Sequence, residues 1–331
     1  MQSKPIRNNS HFSVIIPSYN AEKTLGDCLE GLEHQSVARD EYEVIVVDDG
    51  SIDGTSRTAK GFDVKYIFQA NQGPASARNT GAHAARGDII LYTDADCIPD
   101  YRWVEEMVRP FNDPGVIAVK GAYRTSQSQL VARFAQAEFE DRYDFLQSKT
   151  SIDMVDTYSA GFRKKIFQAM GGFDEGFPVA NNEDTELSYR LASQGHKLVF
   201  NPRAIVYHFH PDTLMRYLRI KFKRGYWRMV VYRRFPEKAV KDSYTPGVIK
   251  IQAILMALSL PLFLFSWISP WPFYLALLCW SVVVVSSLPF SFKVFGKDKP
   301  VGLISPLFVF FRALVFCVGS LLGVARCLFR P

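Results

Sequence analysis

The sequence predicts an α/β protein. A mixed, mainly parallel sheet covered by helices is followed by a basic amphipathic helix and then by transmembrane helices. Three observations carry this expectation. Up to about residue 210, short apolar runs alternate with amphipathic stretches, the pattern of strands joined by crossover helices. Between residues 203 and 241 the charge is one-sided: arginines and lysines face only Asp212 and Glu237. Beyond residue 245 three apolar segments of bilayer length follow one another.

The elements follow in order. Phe12 to Ile16 reads as a strand ended by Pro17, and Ala21 to Gln35 has helical spacing at Leu25, Cys28, Leu29 and Leu32. Glu43 to Val47 is a second strand, running into Asp48-Asp49-Gly50-Ser51. A helix is expected over Asp53 to Lys60, with Asp53 as its N-cap. Val64 to Phe68 is a third strand. Gly73 supplies a tight turn before an Ala-rich helix over Pro74 to Arg86, with proline at its first position. Asp88 to Tyr92 is a fourth strand, and Asp94-Ala95-Asp96 follows it directly. Further on, Val206-Tyr207-His208-Phe209-His210 reads as a strand whose two histidines point the same way.

Thr213 to Tyr232 interleaves Leu214, Tyr217, Leu218, Phe222, Trp227 and Val231 with basic residues, which suits an interfacial helix beside a membrane. Nucleic-acid binding is the competing reading of such a basic block, and the adjacent apolar segments argue against it. The spans are expected at about residues 248–268, 271–289 and 303–328. Lys293, Lys297 and Lys299 place the second connection on the cytoplasmic side. Arg312 in mid-span is costly in lipid, so the third segment is expected to re-enter or to pack against the hairpin. Core helices of a large soluble protein are the alternative, but none of the three segments shows a polar face.

The chain of 331 residues has a net charge of +6, which points to a polyanionic neighbour such as the anionic leaflet. Its five cysteines form no C-x-x-C pair and read as reduced. Residues 1–10 are expected to be a disordered tail without the apolar core of a signal peptide, leaving the first domain, residues 11–211, in the cytosol. Residues 212–245 form the basic interfacial region and 246–331 the transmembrane region.

The chemistry is expected at the carboxyl ends of the strands, where ligands bind in open α/β sheets. Two carboxylates one residue apart, at Asp94 and Asp96, suit a divalent cation that bridges to phosphates. Arg78, one turn into its helix, would reach a diphosphate. An Asp at the end of the second strand can accept hydrogen bonds from a base or a ribose.

In this order, the stretches Pro17-Ser18-Tyr19-Asn20, Asp48-Asp49-Gly50-Ser51, Gln72-Gly73-Pro74 through Arg78-Asn79-Thr80-Gly81, and Asp94-Ala95-Asp96 resemble glycosyltransferase family 2. Gly171-Gly172-Phe173-Asp174-Glu175 and Asn182-Glu183-Asp184-Thr185-Glu186-Leu187 resemble its acceptor-side motif. The resemblance covers about residues 12–210. It implies the GT-A fold, with a Rossmann-like sheet, and an inverting transfer from a nucleotide-diphospho-sugar. It further implies that Pro17, Tyr19, Asn20, Asp49, Gly73, Arg78, Asn79 and Asp94 hold the nucleotide-sugar. Asp96 would ligate Mg2+ or Mn2+, with His208 a candidate second ligand. Asp184 would be the general base and Glu183 its competitor. Arg216, Arg219 and Arg224 are candidates for pairing with the phosphates of a lipid-linked glycan or polyprenyl acceptor.

Processive members that make cellulose or hyaluronan carry Q-x-x-R-W on an interfacial helix. In this chain that region reads Lys221-Phe222-Lys223-Arg224-Gly225-Tyr226-Trp227, so addition of a single sugar is expected. A polyprenyl-phosphate glycosyltransferase is the alternative enzyme, and a non-catalytic membrane scaffold the alternative outside enzymes.

Overall fold

The computed structural model describes residues 12–177, 182–243 and 245–329. The tail expected at residues 1–10 lies outside them. Backbone contacts divide the chain into two compact units: residues 1–126 with 143–209, and residues 127–142 with 210–331.

The first unit is built on one eight-stranded sheet of order β3-β2-β1-β4-β7-β6-β8-β5. Its strands are β1 (Phe12–Ser18), β2 (Tyr42–Asp48), β3 (Lys65–Phe68), β4 (Ile89–Thr93), β5 (Cys97–Pro99), β6 (Val116–Arg124), β7 (Ser159–Arg163) and β8 (Lys197–His208). β1 pairs in parallel with β2 and β4, and β2 with β3. β7 enters antiparallel between β4 and β6. β1, β2 and β4 are buried along almost their whole length, which explains their unbroken Val/Ile/Leu runs: helices cover both faces of such a sheet.

The helices of this unit are α1 (Leu25–Glu33), α2 (Thr55–Ala59), α3 (Pro74–Ala84), α4 (Trp103–Val108), the end of α5 (Leu130–Gln147), α6 (Lys164–Ala169) and α7 (Glu183–Ser193). The first three are shorter than the periodicity suggests. Residues 21–24 form a turn, with the Ala21 carbonyl accepting from Thr24 N–H at 3.1 Å and Leu25 N–H at 2.9 Å. Gly54, not Asp53, is the N-cap of α2. Asp53 sits one residue earlier and uses Oδ1 on Thr55 N–H (3.0 Å) and Oδ2 on Glu22 N–H (3.1 Å). α3 lies tightly on the sheet at Gly81, where a Cβ would collide with the Ile15 side chain.

The second unit contains α8 (Leu214–Arg234), α9 (Pro236–Val240), α10 (Gly247–Phe265), α11 (Pro270–Phe295), α12 (Lys299–Phe329) and the start of α5. α10, α11 and α12 are long and apolar enough to cross a membrane. α8 and α12 meet backbone to backbone. A Cβ on Gly225 would strike the Phe316 carbonyl, one on Gly319 the Phe222 carbonyl, and one on Gly323 the Tyr226 carbonyl. Small residues at four-residue spacing permit such an approach. Gly319→Leu is therefore expected to cost about 2–3 kcal/mol through overpacking. It should lower the thermal midpoint of the full chain in detergent, whereas Leu321→Ala, at an exposed position, should not.

Arg312 is matched rather than exposed to lipid. Its Nη1 donates to Glu138 Oε1 at 2.6 Å and its Nη2 to Gln252 Oε1 at 2.8 Å. Glu138 Oε2 also receives Tyr217 Oη and Lys221 Nζ, each at 2.8 Å. Packing is thus the outcome at this point of the third segment, and the counter-charge comes from α5, 174 residues earlier in sequence.

Candidate functional site

Because β1, β2 and β4 are parallel, their carboxyl ends open on one edge, where a cleft of about 690 Å3 lies. Pro17, Tyr19, Asn20, Asp49, Gly73, Arg78, Asp94 and Asp96 line it. Asn20 takes a positive φ of 50° and ties the end of β1 to the loop after β2, its Oδ1 accepting from Ile52 N–H at 3.0 Å. Gly73 has a φ of 94°, which a side chain would resist. Its N–H donates to Asp49 Oδ2 at 2.8 Å, and Asp49 Oδ1 accepts from Gln72 N–H at 2.9 Å and Gln69 Nε2 at 2.7 Å. Asp49 is therefore a brace between β2 and the start of α3 as well as part of the cleft wall.

A tight turn closes the Asp94–Asp96 triplet, with Cys97 N–H donating to the Asp94 carbonyl at 3.0 Å. The turn separates its two carboxylates. Asp94 points to Arg78, which donates to its Oδ1 from Nη2 at 2.9 Å. Asp96, with a side chain 53% exposed, has its Oδ1 3.6 Å from His208 Nδ1. Antiparallel pairing of β5 with β8 sets Cys97 opposite His208 and so delivers Asp96 to that ring. Tyr123 stacks on the other side of His208 at 4.7 Å and is itself stacked on Tyr158 at 3.4 Å.

Asp96, Cys97 and His208 each bring one ligand atom within 4.8 Å of the others. Burial pushes the Asp96 carboxyl up, but the His208 hydrogen bond and charge outweigh it and hold the group below the usual carboxylate range. Burial drives the Cys97 thiol well up, which keeps it neutral and a poor ligand. A carboxylate and an imidazole on an exposed rim fit a divalent cation. The pairing expected of the two histidines does not hold: β8 ends at His208, and His210 lies in the second unit with Nε2 2.9 Å from Gln136 Oε1.

Arg78 is buried, 3% exposed, and its guanidinium is divided between two carboxylates. Besides Asp94 it serves Glu183 Oε1, from Nη1 at 2.7 Å. It is thus no loose surface arginine waiting for a diphosphate. Glu183 opens α7 after Asn182, which takes a φ of 67°. Asp184 is half-buried, with Oδ1 accepting from Thr185 N–H at 2.7 Å, and lies outside the lining of the cleft.

Burial first, and the adjacent Asp184 charge second, push the Glu183 carboxyl up to about 7 against the pull of Arg78. Between its ordinary value and about 7 the folded chain then binds more protons at Glu183 than the unfolded chain. Stability is expected to fall across that window as pH rises, by at most about 3 kcal/mol, and to be flat above it. Thermal midpoints measured from pH 5 to 8 should show this slope, and Glu183→Gln should remove it.

Asn79 is placed elsewhere than in the cleft wall. Its Nδ2 donates to the Phe173 carbonyl and to Glu175 Oε1, and its Oδ1 accepts from Phe173 N–H, each at 2.9 Å. These bonds hold the Gly171-Gly172 turn, whose glycines have φ of 80° and 68°. A Cβ on Gly172 would come within 2.5 Å of Asn79 Oδ1. These bonds make Asn79 a fastening between α3 and the Gly171-Gly172 turn, outside the lining of the cleft. Arg216, Arg219 and Arg224 lie on α8 in the second unit. Arg216 pairs with Asp212 at 3.0 Å, Arg219 is exposed and Arg224 half-buried.

The sheet order, with a carboxylate turn after β4 and an antiparallel strand carrying His208 to it, is that of the GT-A fold. The mannosyltransferase PcManGT of Pyrobaculum calidifontis, solved with GDP-Man and Mn2+, shares this fold with a TM-score of 0.61 at 20% identity, over 98% of this chain and 88% of that one. Residues 13–171 match the model of glycosyl transferase family 2.

Glycosyltransferase AglE of Haloferax volcanii is 31% identical over 197 residues, 57% of this chain and 63% of that protein. The probable glycosyltransferase YdaM of Bacillus subtilis is 30% identical over 221 residues, 61% of this chain and 51% of that protein. The chain thus spans about half to two thirds of the length of these relatives.

Proposed function

We propose that the protein is a membrane-anchored, inverting glycosyltransferase. It moves one sugar from a nucleotide-diphospho-sugar to a hydroxyl of a lipid-linked glycan during polysaccharide or glycoconjugate synthesis. The observation that carries this reading is the buried Arg78, which ties donor-side Asp94 to acceptor-side Glu183, next in sequence to Asp184. Both ends of a displacement reaction are thereby held by one rigid side chain.

A sugar hydroxyl is a weak nucleophile, and Asp184, the more exposed carboxylate of the pair, takes its proton as the new bond forms. Glu183 is sequestered by Arg78 and keeps α7 in place. Tyr19, Asn20 and Asp49 line the nucleoside end of the cleft, and Asp94 the sugar end. Asp96 and His208 would hold Mg2+ or Mn2+, which when bound offsets the charge on the departing nucleoside diphosphate. The Mn2+ and GDP-Man of the Pyrobaculum structure support this choice of cation and of donor class. The apolar helices anchor the chain in the cell membrane as a multi-pass protein with the catalytic unit in the cytoplasm. Arg216, Arg219 and Arg224 remain candidates for pairing with phosphates of a lipid-linked acceptor.

The test is a screen of UDP-, GDP- and dTDP-sugars for release of nucleoside diphosphate, with membrane lipid extract as acceptor and Mn2+ or Mg2+ present. Release with at least one donor, abolished by a chelator, is expected. No binding and no turnover with any donor would leave the scaffold reading in its place.

A further inference from the structure

Composition counts α10, α11 and α12 alike as spans. Three crossings would put the end of α12 on the membrane face opposite the Gly296–Asp298 connection. The contacts within the second unit point the other way.

The hairpin α10–α11 has one end marked by Gln252 near the start of α10, which donates to Ser286 Oγ of α11 at 3.0 Å. α12 starts from that end: Gly302 presses on the Phe295 backbone, and Val301 packs with Val294 in one cluster. The far end of α12 returns to the same place. Arg233 donates from Nη1 to the Cys327 carbonyl at 2.9 Å. Its neighbour Tyr232 donates to Asp242 Oδ2 at 3.3 Å, and Lys250, in the first turn of α10, pairs with the same Oδ2 at 3.0 Å. Lys250 also donates to the Lys238 and Val240 carbonyls at 3.2 Å. Both ends of α12 are therefore fastened at the base of the hairpin.

α8 excludes a crossing independently. It runs alongside α12 in the same direction, Phe222 at Gly319 and Tyr226 at Gly323. Arg219, Lys223, Arg233 and Arg234 lie along it at exposed positions. A crossing α12 would drag this row through hydrocarbon, where charged side chains are strongly disfavoured. Away from α8, α12 exposes Leu321, Leu322 and Leu328.

We infer that α12 does not cross the membrane. It lies aslant with α8 against the cytoplasmic half of the hairpin, its middle packed on Met256 and Val283, as a two-helix platform just beneath the headgroups of an anionic leaflet. The leucines of α12 face acyl chains, and the basic row of α8 faces lipid phosphates. Only α10 and α11 cross. This inference rests on the membrane-anchored reading of the protein and adds to it the number of crossings.

The test uses the full chain in membranes of an expression host, in a background with its five cysteines replaced. Trp267→Cys, Lys297→Cys and Leu328→Cys are labelled with a membrane-impermeant maleimide. Position 267 should be labelled in intact cells, and positions 297 and 328 only after lysis. Labelling of 328 in intact cells, alongside 267, overturns the inference. C-terminal fusions of green fluorescent protein and of alkaline phosphatase to the native chain read the same point without cysteine replacement: fluorescence is expected, and phosphatase activity contradicts it. Release of the chain from membranes by alkaline carbonate would remove the membrane reading itself, and is scored separately.

Discussion

Asp184→Asn is expected to lower kcat by about a thousandfold, within the range that a positioned general base contributes. Donor binding should be almost unchanged, because Asp184 lies at the start of α7 and not among the side chains lining the donor cleft. The substitution keeps the shape of the side chain and its acceptor for Thr185 N–H, which the native Oδ1 binds at 2.7 Å. Turnover with saturating donor and titration with the nucleoside diphosphate separate the two effects. Near-normal turnover would mean that the nucleophile needs no proton removed, as with a lipid phosphate, and would sink the base assignment. The Glu183→Gln variant is a useful contrast. It should disturb α7 through Arg78 and change stability and its pH dependence, leaving Asp184 to act.

The second large effect is expected at Arg78. Replacing it with methionine keeps the bulk but, at a pH high enough to ionise Glu183, leaves a buried carboxylate with no counter-charge. Breaking a buried pair in this way costs about 3–5 kcal/mol. Asp94 is the more exposed partner, at 29% against 3% for Glu183, so most of the penalty falls on Glu183. Arg78→Met should therefore lower the thermal midpoint markedly and abolish turnover. In the double variant Arg78→Met/Glu183→Gln, much of the stability should return, because the orphaned charge is gone. Activity should not return, since Asp94 still lacks its partner. If the double variant were no more stable than the single one, the Arg78–Glu183 pair would not be the main source of the loss.

Much of the first unit is legible from local pattern. β1, β2 and β4 are apolar runs ended by turn residues; the structure lengthens the first two by two residues each and shifts the third by one. The cleft is legible for the same reason: parallel strands bring their carboxyl ends together whatever their sequence separation. What local pattern does not contain is the choice of long-range partners. Nothing near Arg78 says that Glu183, 105 residues later, receives its Nη1. Asn79 reads as a cleft residue because it follows Arg78, yet the helical rotation of α3 turns it to the Gly171-Gly172 turn. Arg312 reads as a burden on its helix, because its partner Glu138 precedes it by 174 residues. Tyr123, the ring behind His208, carries no motif at all. His210 shows the opposite error, in which strand alternation is extended past the point where β8 ends.

One measurement bears most directly on a single displacement with Asp184 as the only base: the anomeric configuration of the first product, read by proton NMR from a donor of known configuration. If Glu183 is held by Arg78 and Asp184 alone acts as base, attack comes once and in line. Inversion is expected, an α-linked donor giving a β-linked product. Retention would require a second displacement or a front-face route, and would contradict Asp184 as base and Arg78 and Asp94 as the groups that hold the donor side.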